Sequence, residues 1–158
     1  MVDISVLFDT HLDEQEAGRE FPIAGPSREA TGIIMRICGP DSDRLRKARH
    51  IVKDRILWRN RRGTHIRRGK DVEEDDNELV AAAIMDWSGI LKGGEPFPYS
   101  KENAEYLISR YPFIKDQVDV FCSTRAFFDP DFDPFGKTDD KEATETASTP
   151  EVVNEVAV

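Results

Sequence analysis

The chain has 158 residues and a mass of 17.9 kDa, enough for one domain with a real core. With 39% hydrophobic and 34% charged residues it is polar for a fully globular chain, which predicts that part of it stays outside the folded domain. No apolar run approaches the ~20 residues of a membrane helix, and the opening MVDISVLFDTHLDE, with no basic region before its apolar run, does not read as a signal peptide.

The net charge of −9 hides an asymmetry. Between Arg44 and Lys70 there are twelve Lys and Arg against one acid, Asp54, so this stretch is +11 and the remainder −20. Such a dipolar chain either presents a positive surface to an acidic partner or neutralises it with its own acids.

In chain order, ISVLF (4–8) is a candidate strand, and TGIIMRICG (31–39) a better one. Ile33, Met35 and Ile37 alternate onto one face, with Ile34, Arg36 and Cys38 on the other. Phe21 to Ile23 is expected to form the first arm of a hairpin, turning at Gly25-Pro26 and returning from Thr31 to Cys38. Pro22 restricts that arm to a sheet edge.

GPDSD then opens a helix, with Asp41 or Ser42 as N-cap and Asp43 favourable at the positive end of the helix dipole. Leu45, Ala48, Val52 and Ile56 form its apolar stripe, Ile51 lies alongside, and the rest is nearly all Arg and Lys. The helix is expected to run to about Trp58, itself assigned to the core, and to fade in RNRRGTHIRRGK.

DVEEDDNELVAAAIMDWSG predicts a second helix. Leu79, Val80, Ala83, Ile84 and Trp87 fall on one face, with Gly89 as the C-cap. LKGGEPFPY reads as a loop. Ser100 is the expected N-cap of KENAEYLISRY, whose apolar face is Ala104, Leu107, Ile108 and Tyr111. Pro112 ends that helix and starts the next, on which Ile114, Val118, Phe121, Cys122 and Arg125 repeat at three and four. Residues 1–128 are therefore read as a single α+β domain. It has a small N-terminal β-hairpin or sheet and a mainly helical C-terminal half. Residues 129–158, with nine acids, two lysines and three prolines, are read as a disordered acidic tail in which Phe132 and Phe135 are candidate adhesive points.

No residue pattern points to catalysis. His11, His50 and His65 stand alone, and no nucleophile elbow or phosphate loop is present. The acids of EEDDNE (73–78) lack the glycine and ligand alternation of a calcium loop and read as a solvated helix start. Cys38 and Cys122, far apart in apolar contexts, read as buried reduced thiols rather than zinc ligands. No catalytic, cofactor-binding or metal-binding residue is therefore assigned. The +11 stretch could neutralise phosphates, but the adjacent acids argue against nucleic acid as a tight partner.

Taken in order, the strand, GPDSDRLR, the basic helix, the acid-led segment ending in DWSGI, the turn GEPFPYSKENAEYLI and YPFIKDQVDVFCSTRAFF resemble the tail assembly chaperones of long-tailed bacteriophages. The resemblance covers about residues 9–128 and rests on the ordered set rather than on any one piece. It implies a protein that is not an enzyme. Such a protein binds the tape measure protein in the host bacterial cytoplasm, keeps it soluble, recruits tail tube protein and is absent from the mature virion. Self-association is a further candidate contact. Trp87, Phe97 and Tyr99, around the LKGGEPFPY loop, and Phe121, Phe127 and Phe128, on and after the last helix, are the candidate partner-binding residues. Trp87, Phe97 and Tyr99 are weighted towards covering the core, Phe127 and Phe128 towards an interface.

Two other classes remain in view. A virion structural protein, such as a head–tail connector or tail terminator, would be found by mass spectrometry of purified particles. A nucleic-acid-binding regulator using residues 44–70 would shift DNA in a salt-dependent manner.

Overall fold

The computed structural model describes residues 1–4, 11–61 and 68–136. The candidate strand at 4–8 falls almost wholly outside these residues, as do His65 and the chain beyond Gly136.

A short helix α1 (Leu12–Ala17) leads into strands β1 (Arg19–Ala24) and β2 (Ala30–Ile37), the expected hairpin. Its registry pairs Phe21 with Met35 and Ile23 with Ile33. Helices α2 (Asp43–Arg61) and α3 (Gly69–Ala83) follow, and then a third strand, β3 (Ile84–Ser88), which adds to β2 in an antiparallel sheet of order β1-β2-β3. A minimal hairpin of β4 (Leu91–Lys92) and β5 (Glu95–Pro96) precedes α4 (Lys101–Arg110), α5 (Pro112–Ser123) and a 3-10 turn at Arg125–Phe128. The fold is α+β, a small antiparallel sheet followed by a mainly helical half.

β1 is an edge strand, consistent with Pro22. Its exposed end is met by Gln117 of α5, which accepts from the Ala24 amide at 2.8 Å and donates to the Ala24 carbonyl at 2.9 Å. Phe21, Ile23, Met35 and Ile37 point from the sheet into the core. Val80 and Ala83 of α3, Ala104, Leu107 and Ile108 of α4, and Ile114, Val118 and Cys122 of α5 meet them there. Ser100 caps α4 by accepting from the Asn103 amide at 3.0 Å, and Pro112 occupies the first turn of α5, both as expected. Tyr111, placed by periodicity on the apolar face of α4, sits past the helix end and is exposed.

The acid-led helix is shorter than its periodicity predicts. It stops at Ala83, and Ile84 and Trp87 belong to β3. Residues three apart on a regular strand point to opposite sheet faces. Here Ile84 pairs with Ile37 while Asp86 pairs with Arg36, so Met85 is an extra residue, and this bulge brings Ile84 and Trp87 to the same buried face. A bulged strand thereby imitates the spacing of a helix. Gly89 is accordingly not a helix cap. It turns the chain out of β3 at φ +80°, so close to β2 that an added Cβ would lie 2.4 Å from the Gly32 carbonyl oxygen. The end of α3 is held instead by Arg44, whose Nε donates to the Ala82 carbonyl at 2.6 Å and Nη2 to that of Ile84 at 3.0 Å.

The ordered domain also extends beyond Phe128. Arg19 donates to the carbonyls of Phe127 (2.9 Å), Asp129 (2.7 Å) and Phe132 (2.7 Å), and Phe132 packs against the core. Residues 129–136, grouped with the tail by composition, therefore complete the domain. One cation thus ties three backbone carbonyls to β1. The tail from 137 onward lies outside the described residues.

Candidate partner-binding surfaces

The six residues singled out from sequence separate into two aromatic clusters. In the first, the Trp87 ring lies nearly parallel to Phe97, with centroids 5.9 Å apart, and edge-on to Tyr99 at 5.2 Å. Trp87 Nε1 donates to the Phe97 carbonyl at 2.7 Å. Tyr99 Oη accepts from Arg44 Nη2 at 2.8 Å and donates to the Ile84 carbonyl at 3.0 Å. Lys92 Nζ caps the cluster, 4.2 Å from the Tyr106 centroid. In the second, Phe21 stacks on Phe121 at 4.4 Å and receives Phe128 edge-on at 5.8 Å. Phe127 leans on Phe121 and on Phe132, with centroids 5.8 and 5.0 Å away. The registered pairs Phe21–Met35 and Met35–Trp87 join the clusters across the sheet.

These contacts reassign most of the six. Phe128 is 0% exposed, so it is a core residue and not an interface anchor. Its ring packs edge-on against Phe21, while Arg19 holds the backbone carbonyls on either side of it. Trp87 is 9% exposed. Phe97, Tyr99, Phe121 and Phe127 are half-buried and packed against the core. The rings cover the core.

α2 carries three large exposed apolar side chains. Ile51 and Trp58 are each 57% exposed and Leu57 52%. Trp58 is thus not a core residue. It falls six residues after the buried Val52, about a third of a turn off the Leu45–Val52 stripe. That offset was readable in the sequence. Ile51 and Trp58, seven residues apart, share one outward face. Beneath α2, the half-buried Ile56 and Leu79 line a groove of about 430 Å³ with Val52 and Val72, edged by the Lys115–Asp76 ion pair of 2.8 Å.

The charges of α2 are only partly matched. Asp43 pairs with Arg46 and Lys47, which hold its carboxyl down at about 2. Arg55 reaches Glu78 through two bonds of 2.6 and 3.0 Å and Asp75 at 3.4 Å, and its guanidinium lowers the Glu78 pKa. Asp75 is 4% exposed, so the acids opening α3 are not merely a solvated helix start. Arg49 donates to the Pro40 carbonyl at 2.8 Å. Among the described residues no carboxylate forms an ion pair with Lys53, Arg59 or Arg61.

Polar anchors with no local sequence signal tie the elements together. Gln15, fully buried, accepts from the Asp41 amide at 2.7 Å. Asp41 in turn receives Arg125 through bonds of 2.6 and 2.8 Å, which hold its carboxyl below its ordinary range. Among the described residues no group of three or more His, Cys, Asp or Glu side chains converges as a metal site, and no helix is long and apolar enough to cross a membrane.

Cys38 and Cys122 are free and buried. Burial first, with Asp119 adding, pushes the Cys122 thiol up to about 12, and burial raises Cys38 as well. Neither thiol is therefore expected to react with a thiol-specific disulfide reagent at pH 8 in the native protein, and both should react in 8 M urea. Rapid native-state modification of either would contradict this burial.

Comparison with family models, with curated proteins and with solved structures gives no match to this chain.

Proposed function

We propose that this chain is a tail assembly chaperone of a long-tailed bacteriophage. It binds the tape measure protein in the host cytoplasm, keeps it soluble and recruits tail tube protein during assembly. The ordered resemblance over residues 9–128 supports the family. The observation that carries the binding assignment is the outward face of α2, where Ile51 and Trp58 stand exposed among Arg and Lys. A long helical client carries apolar stripes at three- and four-residue spacing, and an amphipathic face is the usual receiver of such a stripe. Trp58 supplies a large contact area at small entropy cost, and the surrounding cations favour a client with acids flanking its stripe. Phe127 and Phe128 are no longer the proposed anchors, because they pack inward.

The test is co-expression with the tape measure protein followed by pull-down. The wild-type chain should hold the client in the soluble fraction. Ile51→Ser with Trp58→Ser should leave the circular dichroism spectrum unchanged, since both side chains are more than half exposed, while the client precipitates. An insoluble client beside the wild-type chain would overturn the function. A client still soluble with the double variant would move the surface off α2.

A further inference from the structure

We propose that the acidic C-terminal segment of this chain, residues 137–158, docks on the outward face of α2 and occupies it until a partner displaces it. Three observations lead there: the charge of the helices, the chemistry of the segment and its reach.

Among the described helices only α2 is net positive. Its span from Asp43 to Arg61 carries eight Arg and Lys against two acids. α3 opens with six acids, α1 is acidic, and α4 and α5 are close to neutral. Arg44 and Arg49 are committed to backbone carbonyls and Arg55 to Glu78, which leaves the cationic surface to residues such as Lys53, Arg59 and Arg61. On the same helix Ile51, Leu57 and Trp58 are each more than half exposed.

The segment matches this face in both respects. Asp139, Asp140, Glu142, Glu145, Glu151 and Glu155 stand against Lys137 and Lys141. Its last residues, PEVVNEVAV, add valines between those acids, so the segment combines negative charge with apolar side chains as α2 combines positive charge with them. The other large acidic surface, the start of α3, repels it.

The described chain ends beside α1, where Asp129 and Asp131 face Leu12 and Asp13, and its continuation is long enough to reach α2. Arg19 holds the Phe132 carbonyl at 2.7 Å, and Arg125 grips Asp41, two residues before α2 begins. From Gly136 onward 22 residues remain, which extend to at most about 75 Å, whereas the 19 residues of α2 span about 28 Å. Tethering raises the local concentration of the segment to roughly millimolar, so a weak contact suffices to fill the face. Docking would shield Trp58 and offset the charge that would otherwise attract nucleic acid. The inference does not depend on the identity of the client.

The experiment uses the full chain. A nitroxide label is attached at Ala157→Cys, the native thiols being buried, and amide resonances are recorded on the ¹⁵N-labelled protein. Amide intensities across residues 47–61 should fall at least twofold at ~0.1 M salt and recover at ~1 M, as the screening length shrinks from about 10 to about 3 Å. Changing Asp139, Asp140, Glu142 and Glu145 to their amides should restore the intensities at low salt. Broadening spread evenly over the domain, centred on another helix, or insensitive to salt and to the four amides would overturn the proposal. So would equal broadening when spin-labelled chains without ¹⁵N are mixed with unlabelled ¹⁵N chains, since that places the contact between copies. No client protein enters the measurement, so its result is separate from that of the co-expression test.

Discussion

Replacing Trp87 with alanine is expected to lower the unfolding free energy by about 3–5 kcal/mol, the range of large aromatic-to-alanine changes in a core. Trp87 lies at the junction of the sheet with the β4–β5 hairpin. It pairs with Met35, stacks on Phe97, meets Tyr99 edge-on and donates its indole N–H to the Phe97 carbonyl. Truncation opens a cavity under the whole turn and leaves that carbonyl without its donor. At an m-value of roughly 2 kcal/mol per molar, the urea midpoint should fall by about 2 M. Trp87→Phe retains a ring against Phe97 and loses the hydrogen bond, so it should cost less, on the order of 1–2 kcal/mol. A midpoint that barely moves in Trp87→Ala would mean that the ring does not anchor the core.

Phe128→Ser is expected to be comparably destabilising, by about 3–5 kcal/mol. The ring is fully buried and packs edge-on against Phe21, which itself stacks on Phe121. Serine removes that contact and places a hydroxyl where no partner awaits it, adding a desolvation cost to the cavity. Phe127→Ser should cost less, because Phe127 is only half-buried at the rim, between Phe121 and Phe132. The two single variants, compared by urea unfolding, should separate clearly. Equal, small shifts would return Phe128 to the surface and restore it as an interface candidate.

Much of the fold was legible because it is written locally. The hairpin follows from alternation in TGIIMRICG and the Gly-Pro turn, and its edge position from Pro22. Ser100 and Pro112 announced the starts of α4 and α5. β3 was misread because Ile84 and Trp87 sit three apart on one buried face, a spacing that a helix produces by its pitch and this strand by a bulge at Met85. The candidate site was less legible. Trp87, weighted towards the core, is buried there, yet Phe128, weighted towards an interface, turned inward and Trp58, assigned to the core, outward.

By itself the sequence determined the local elements, the α+β class and the concentration of positive charge in one helix. Only the tertiary structure decided which aromatic rings are covered, and the reason is physical. Periodicity tells which side chains share a face, but burial depends on what the rest of the chain lays over that face. Arg19 reaches carbonyls 108 to 113 residues away, and Arg125 reaches Asp41 across 84, contacts with no signature in any local window. Those long-range bonds hold the chain after the last helix against the domain, with Phe132 packed on Phe127. α2, packed along one stripe only, leaves Ile51 and Trp58 facing solvent.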